Sequence, residues 1–377
     1  MRLIIFAFLL CAAALAKPRA RDLGIPFDGT PGPSNAITDV PGVEVGYTTL
    51  ISGEGKLVRG KGPVRTGVTA ILPHGRTTDR KLPAAWFSLN GNGEMTGTTW
   101  IDESGFLEGP IMLTNTDSVG VVRDAVVEWG TRHFPGSDDF SLPVVAETWD
   151  GLLNDIEGFH VTRADVFHAI EIAHSGHIDE GNVGGGTGMV VYRFKGGTGS
   201  SSRRVNAYTV GTLVQANFGQ RSDLRIAGVP VGQELTSLMP EEHASPPRDG
   251  SIIAVVATDA PLLPHQLKRI IKRVALGLGR AGSLARDSSG DLFIAFSTAA
   301  PRLGKDGLES WKAIPNDRLD DYFGATVEAT EESVANALVA AETMTGINGN
   351  KVYAIPHEEL IKILKAHKRW HSAISRR

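Results

Sequence analysis

The chain alternates between short runs of apolar, often β-branched residues and clusters of glycine, proline and asparagine, a pattern typical of buried strands joined by turns. The predicted strands cover residues 40–50, 64–72, 85–89, 142–151, 189–194, 205–216, 251–258 and 292–297. The third run ends in the loop 90–97, whose glycines and asparagines tolerate positive φ and let the backbone approach a ligand. This loop is therefore a candidate wall of a binding site, although a plain connection would have the same composition.

Apolar residues at spacings of three and four predict amphipathic helices between the groups of strands. Ser118, Thr162, Pro264 and Thr330 stand at predicted helix starts, where such residues cap or begin a helix. The predicted helices cover residues 118–134, 162–174, 264–280, 330–344 and 358–367. Because strands come in groups rather than in strict alternation with helices, the sequence predicts a layered α+β fold with helices over stacked antiparallel sheets.

Composition places the chain among ordinary globular proteins and argues against some partners. Of its 377 residues, 41% are hydrophobic and 21% are charged, which suffices for a large core in one big domain or two. The formal charge of −4 gives no basic footprint, so nucleic acid is not an expected partner.

Residues 1–16 have the pattern of a secretory signal peptide. Arg2 precedes the apolar run 3–10, and Ala14 and Ala16 form a small-residue cleavage site after residue 16. The sequence therefore predicts an exported protein, periplasmic or secreted, with no membrane association after cleavage, because no later segment is long and apolar enough to span a bilayer. Residues 17–35, rich in proline and glycine, predict an extended arm outside the core, on the surface of the domain or of a neighbouring subunit.

Several kinds of catalytic site are not supported by the sequence. Cys11, within the predicted leader, is the only cysteine, so a cysteine nucleophile and thiolate metal sites are not expected. The chain has no G-x-S-x-G elbow and no H-E-x-x-H, and its glycine-rich stretch 181–188 fits neither common phosphate-binding spacing. We expect neither a metal nor another cofactor.

The Gly250–Ser251 pair places a hydroxyl at the mouth of a predicted buried strand. If this bond were cut, Ser251 would carry both a nucleophilic Oγ and a free α-amine, whose pKa of about 7.7–8.0 suits a general base near neutral pH. The preceding loop, rich in proline, glutamate and arginine, would leave the bond close to the surface. The local sequence also allows a simpler alternative, in which the pair only begins a strand and is not cleaved, since Gly-Ser is a common dipeptide at that position.

Several longer motifs, in order along the chain, resemble the L-aminopeptidase D-Ala-esterase/amidase and β-peptidyl aminopeptidase family. These motifs are residues 90–98, 143–148, 214–219, 249–251 and 289–291, and the resemblance extends from about Asp22 to about Met344. It implies a four-layer αββα sandwich, like the N-terminal-nucleophile hydrolases in architecture but with different connectivity. It also implies that a single domain, 17–377, cleaves itself into an α chain, 17–250, and a β chain, 251–377, which assemble as a homotetramer of αβ units.

The resemblance also implies roles for particular residues. Ser251 matches the nucleophile, Ser289 and Asp291 match a relay that orients it, and Asn217 matches a donor to the oxyanion. Glu147 matches the acid that receives the free amino group of the substrate. The implied activity is that of a serine aminopeptidase or amidase acting on small peptides, amides or esters through an acyl-enzyme on Ser251.

Trp149 departs from the family pattern, in which a tyrosine follows Glu-Thr. An indole donates one hydrogen bond, accepts none and is larger than a phenol, so the pocket should differ in shape. The preference among α-, β- and D-configured residues therefore stays open.

Two alternatives also remain open. One is an acyltransferase of related architecture, although such enzymes typically have threonine as the new N-terminus and lie inside the cell. The other is an exported binding protein that kept the fold and lost activity. The departure at Trp149 is compatible with this alternative. The evidence against it is that the predicted site residues are all present: Ser251, Asn217, Ser289 and Asp291.

Overall fold

The computed structural model describes residues 17–76, 81–134, 141–243 and 250–372. The predicted leader, and Asp249 beside the Gly250–Ser251 bond, lie outside these ranges. The strands are β1 Glu44–Ser52, β2 Val64–Arg76, β3 Leu82–Gly91, β4 Phe106–Leu107, β5 Ile111–Asn115, β6 Val144–Thr148, β7 Val190–Val191, β8 Phe194–Lys195, β9 Gly197–Val205, β10 Tyr208–Ala216, β11 Ile252–Thr258, β12 Gly290–Ser297, β13 Arg302–Leu303, β14 Glu309–Ser310, β15 Met344–Thr345 and β16 Lys351–Val352. The helices are α1 Thr98–Ser104, α2 Val119–His133, α3 Arg163–Glu171, α4 Val231–Glu234, α5 Pro264–Ile271, α6 Val274–Ala281, α7 Asp320–Val339 and α8 His357–Ala366.

Two stacked sheets form the centre of the molecule. The smaller has four strands in the order β1-β2-β5-β6, and the larger has six in the order β4-β3-β12-β11-β10-β9. Between them lies an apolar layer in which Ile71 and Leu113 of the smaller sheet share one buried cluster with Ile253 and Ile294 of the larger. Strand side chains alternate between the two faces, so each sheet has a second apolar face to cover.

Helices cover both outer faces. Val68 of the smaller sheet packs in one cluster with Val122 of α2 and Ile170 of α3. On the larger sheet, Phe293 shares a cluster with residues of α5 to α8, among them Leu338. The order of layers is therefore helix, sheet, sheet, helix, which confirms the expected αββα sandwich.

The sheets are mixed rather than wholly antiparallel, so that detail of the sequence prediction is wrong. β5 pairs in parallel with β6, and β11 pairs in parallel with β12. In each case a helical segment, α2 or α5 with α6, connects the two strands and returns the chain to the same end of the sheet.

Some predicted element boundaries also change. The helix predicted to start at Thr330 begins at Asp320, and Thr330 lies buried inside it, where its hydroxyl donates to the Thr326 carbonyl at 2.7 Å. The predicted helix 264–280 is two helices, α5 and α6. The predicted strand 189–194 is instead a tight β7–β8 hairpin, because Tyr192 and Arg193 take positive φ values of 49° and 64°.

The N-terminal arm contributes to the core, contrary to the prediction that it lies outside. Ala20 is fully buried in the cluster beneath the outer helices. The Arg19 Nε atom lies 2.6 Å from Glu180 Oε2, and the side chains of both residues are buried. Proline and glycine in this segment therefore mark an irregular path rather than a peripheral one. Among the residues described, no helix is both long and apolar enough to cross a membrane.

Glu332 of α7 links three parts of the chain. It lies 2.8 Å from Arg21 Nε of the arm and 2.7 Å from Arg203 of β9, and it is fully buried. Burial by itself raises the pKa of Glu332, but Arg203 and Arg21 offset this effect and lower the pKa overall. A buried carboxylate between two arginines is costly to break from one side.

We predict that Glu332→Gln lowers the free energy of unfolding at pH 7 by about 3–5 kcal/mol, because it removes the buried negative charge that lies between Arg21 and Arg203. The lowered folded-state pKa means that the carboxylate stabilises above its ordinary pKa of 4.5 and that this contribution is lost as the pH falls through the folded value. Urea unfolding at pH 7 and at pH 4 should show a smaller difference between variant and wild type at pH 4. Glu331→Gln is the control, because its partner Arg280 is 46% exposed. An unchanged urea midpoint for Glu332→Gln at pH 7 would show that this carboxylate does not stabilise the contact between the arm, β9 and α7.

Candidate active site

Ser251 lies at the start of the central strand β11, directly before the pairing with both neighbours begins. Ile252 is opposite Ala216 of β10 and opposite Asp291 of β12. The Asn217 N–H donates to the Ser251 carbonyl at 3.0 Å, and the Gly290 N–H donates to Ser251 Oγ, also at 3.0 Å. Backbone groups from both neighbouring strand ends therefore fix the position of Ser251, a residue that is 7% exposed.

Ser289 and Asp291 lie beside the Gly250–Ser251 peptide. Ser289 Oγ is 2.5 Å from the Gly250 carbonyl oxygen and 2.6 Å from Asp291 Oδ1. The second carboxylate oxygen of Asp291 accepts from Asn90 Nδ2 at 3.2 Å. Burial raises the pKa of Asp291, while the hydrogen bonds from Ser289 and Asn90 oppose that rise. The structure thus brings the two serines and the acid together around one peptide bond.

Asn217 follows β10 and lies on the other side of Ser251. Its Oδ1 accepts from the Val190 N–H at 2.8 Å, and its Nδ2 donates to the Trp149 carbonyl at 2.8 Å. A Cβ built on Gly250 would come within 2.7 Å of Asn217 Nδ2 and 1.7 Å of Asn217 O. Glycine at 250 therefore lets the chain pass close to an amide that has a second N–H to donate.

Lys195 supports Asn217, and no sequence motif pointed to it. Its ammonium donates to the carbonyls of Met189 at 2.7 Å and Gly196 at 2.9 Å, and it is fully buried. The Met189 carbonyl and the Val190 N–H belong to one peptide group, so the lysine holds the group that orients Asn217. Burial and the charge of Lys17 lower the pKa of Lys195 to about 7, against the opposing charge of Asp150.

Glu147 is the last residue but one of β6 and is 3% exposed. Its Oε1 accepts from the Glu94 N–H at 3.1 Å, and its Oε2 accepts from the Thr116 hydroxyl. Burial raises the pKa of Glu147, while these two hydrogen bonds oppose the rise. A Cβ on Gly93 would be 3.2 Å from Glu147 Oε1 and 3.4 Å from the Cα of Gly290. The Glu147 carboxylate and Gly290, whose N–H donates to Ser251 Oγ, therefore both lie next to Gly93.

The loop 90–97 forms part of this site, as the sequence suggested. Asn90 contacts Asp291, and the backbones of Gly93 and Glu94 lie against Glu147. Thr116 carried no comparable sequence signal, because a single threonine after a strand is unremarkable in composition.

Trp149 lies at the edge of the site with 41% of its surface exposed. It lines a cavity that also contacts Gly250 and Asn217, together with Leu152, Val190 and Arg193. Trp149 therefore shapes the space next to the amide of Asn217.

Comparison with solved structures defines the class of this fold. The L-aminopeptidase D-Ala-esterase/amidase of Ochrobactrum anthropi, described as a variant of the N-terminal-nucleophile hydrolase fold, superposes with a TM-score of 0.88 at 47% identity over 94% of this chain and 100% of that one. A β-aminopeptidase from a Burkholderia species superposes with a TM-score of 0.85 at 45% identity, also over 94% of this chain and 100% of the other. The protein has this variant of the N-terminal-nucleophile hydrolase fold.

Sequence comparison gives the family. The model of peptidase family S58 matches residues 35–352, so the chain belongs to that family. The β-peptidyl aminopeptidase BapA of Sphingosinicella microcystinivorans is 55% identical over 97% of each chain. The protein of the same name from Sphingosinicella xenopeptidilytica is 52% identical over 95% of this chain and 94% of its own. The predicted enzyme class, a serine aminopeptidase of the N-terminal-nucleophile type, is confirmed.

We predict that Lys195→Met lowers kcat by about tenfold or more and changes KM by less than about twofold. The methionine keeps the length of the side chain but no longer holds the Met189–Val190 peptide, so Asn217 loses part of its preorganisation as a donor. Steady-state kinetics on an aminoacyl p-nitroanilide, with thermal unfolding to verify the fold, measures both constants. Lys305→Met, at an exposed position, is the control. A folded Lys195→Met enzyme with wild-type kcat would show that Asn217 does not depend on this lysine.

Proposed function

We propose that the chain is exported, cleaves itself between Gly250 and Ser251, and then uses Ser251 to release N-terminal residues from short peptides, amides or esters. The observation that carries this proposal is the setting of the Gly250–Ser251 peptide. Its carbonyl oxygen lies 2.5 Å from Ser289 Oγ, and Asn217 lies against Gly250. An ordinary turn at the start of a strand does not need a buried hydroxyl, itself bonded to a carboxylate, at its carbonyl.

Self-cleavage would proceed as an acyl shift. Ser251 Oγ attacks the Gly250 carbonyl carbon, the C–N bond breaks, and the Oγ proton passes to the departing nitrogen. Negative charge that develops on the Gly250 oxygen is stabilised by Ser289 and Asn217. This break frees the α-amine of Ser251. Water then hydrolyses the ester, which leaves a carboxylate on Gly250 and restores the hydroxyl of Ser251.

In the mature enzyme, that amine would accept the Oγ proton when Ser251 attacks the substrate carbonyl. Ser289, bonded to Asp291, would then hold the resulting ammonium, since the cleaved carbonyl no longer occupies its hydroxyl. Asn217 would donate to the oxyanion, a contribution of about 3–4 kcal/mol for one preorganised donor. The ammonium returns its proton to the leaving amine, and water hydrolyses the acyl-enzyme.

Glu147 would select substrates with a free amino group. Its carboxylate is buried beside the site and has hydrogen bonds from Glu94 and Thr116 but no ion-pair partner among the described residues. An incoming ammonium would supply the missing positive charge. Because two relatives more than half identical to this chain are named β-peptidyl aminopeptidases, we assign N-terminal β-amino acid residues as the preferred group to be released.

The export and assembly remain part of the same proposal. The leader pattern of residues 1–16 supports a periplasmic or secreted enzyme, and the family resemblance supports a homotetramer of cleaved units. No cofactor is assigned, because the proposed steps use only the side chains and the amine described above.

The first experiment is a denaturing gel of wild type and Ser251→Ala. In proportion to a mass of 40.2 kDa for the whole chain, we expect wild-type bands of about 25 and 13.5 kDa. Ser251→Ala should give one band, because the acyl shift needs Oγ. Ser288→Ala, next to the relay serine, should be cleaved like wild type. An intact wild-type chain in an active preparation would refute the mechanism.

A second variant tests the role of Glu147. Glu147→Gln should lower kcat/KM on substrates with a free amine by about 10- to 100-fold, because it loses a charge-assisted hydrogen bond, yet it should still cleave itself. Burial raises the pKa of Glu147, so wild-type kcat/KM should fall on the acidic side as the pH drops through that raised value. The variant should lose the part of this fall that Glu147 causes and keep the part that comes from protonation of the Ser251 amine. Glu103→Gln, at an exposed position, is the control. Normal turnover by Glu147→Gln would exclude the assignment.

A further inference from the structure

The cavity beside Asn217 contains one charged residue among the described residues that line it, Arg193. Its other lining residues include Trp149, Val190 and Gly250, which are apolar or lack a charged side chain. A guanidinium in such a setting attracts an anionic group, and a planar carboxylate matches its geometry.

The sheet order places this cavity and Glu147 on opposite sides of Ser251. β11 lies between β12 and β10. Glu147 approaches the β12 side, where Gly290 is, whereas Asn217 and the cavity adjoin the end of β10. Neighbouring strands are about 4.8 Å apart, so the two flanking strands are separated by about 10 Å. Two extended residues span about 7 Å, and a charge-assisted hydrogen bond adds about 2.8 Å at each end, so a dipeptide is long enough to straddle the nucleophile.

The backbone of Arg193 is held firmly. The carbonyls of Tyr192 and Arg193, at the tip of the β7–β8 hairpin, accept from Arg221 at 3.0 and 2.7 Å. Burial lowers the pKa of Arg221 to about 10, so this residue is still charged at neutral pH. The position of Arg193 relative to Asn217 is therefore set by a buried cation that binds the backbone on both sides of the turn.

The Arg193 side chain already contacts a carboxylate of this protein. One of its terminal nitrogens lies 2.6 Å from Glu242 Oε1, and the side chain is 16% exposed. Glu242 is held close by, because the neighbouring Glu241 pairs with Lys351 through the backbone and the His243 N–H donates to Asn350 at 2.8 Å. A guanidinium has five N–H donors, so this contact leaves others for a ligand.

We propose that Arg193 binds the C-terminal carboxylate of the residue that follows the scissile bond. The enzyme would thus favour dipeptides, whose amine reaches Glu147 and whose carboxylate reaches Arg193. This inference rests on the proposed aminopeptidase function and adds the substrate class. Glu242 partly neutralises Arg193 and so limits the strength of the preference.

The test compares β-alanyl-alanine with β-alanyl-alaninamide, which differ only in the terminal charge, by measuring the release of β-alanine. Wild type should show kcat/KM about tenfold or more higher on the free acid, as expected for one charge-assisted contact. Arg193→Gln should lower kcat/KM on the free acid about tenfold, which brings the values for the two substrates within about twofold of each other. Glu242→Gln should raise the preference for the acid. Arg59→Gln, whose partner Glu157 is on the surface, should behave like wild type.

Each outcome decides between the two proposals. Self-cleavage into two chains verifies that each variant folds. If wild type hydrolyses both substrates equally, or if Arg193→Gln lowers both rates together, the carboxylate subsite is wrong and the aminopeptidase function stands. If cleaved wild type releases β-alanine from neither substrate, the proposed substrate class fails, and the subsite with it.

Discussion

The site depends on one constraint, which is that Ser251 is the last residue before the central strand becomes paired on both sides. From Ile252 onward, β11 is bonded to β10 and β12. The residues directly before that point take their positions from the ends of the two neighbours: Asn217 after β10, and Gly290 at the start of β12. A shift of one residue in either register would turn the side chains of a strand to the opposite face. The arrangement of the candidate site is thus a consequence of the sheet.

The double sandwich supplies the second requirement, which is burial. Ser251, Asn217, Ser289 and Asp291 are each less than a tenth exposed, because the second sheet and its loops cover this edge. Burial strengthens the hydrogen bonds of the site and shifts the pKa values of Asp291 and Glu147 upward. In this buried setting, the loss of any one hydrogen-bond donor of the site is costly. Lys195 illustrates this, because it places an ammonium beneath a single peptide group that orients Asn217.

Much of the fold was predictable from local patterns, and the failures have physical causes. The apolar runs at β11 and β12 are unambiguous. In contrast, β9 was missed because both of its faces are buried yet carry the polar residues Ser200, Ser201 and Ser202. The hydroxyls of these serines donate to the Thr212 carbonyl, the Ala329 carbonyl of α7 and the Asp39 carboxylate. Thr330 resembled a helix cap but bonds within the helix. Among the residues that the structure brings together at the candidate site, those in long motifs were predicted from the sequence. Lys195 and Thr116 were not, because their roles arise only when distant segments meet.

The central claim is that the nucleophile is an N-terminal serine created by the chain itself. The most direct measurement is intact-mass spectrometry of active enzyme quenched in acid during turnover of an aminoacyl ester. We expect a fragment with the mass of residues 251–377, beginning with a free Ser251, and a second species heavier by the mass of the acyl group. An acyl group on any other fragment, or activity in a preparation that contains only uncleaved chain, would contradict the account.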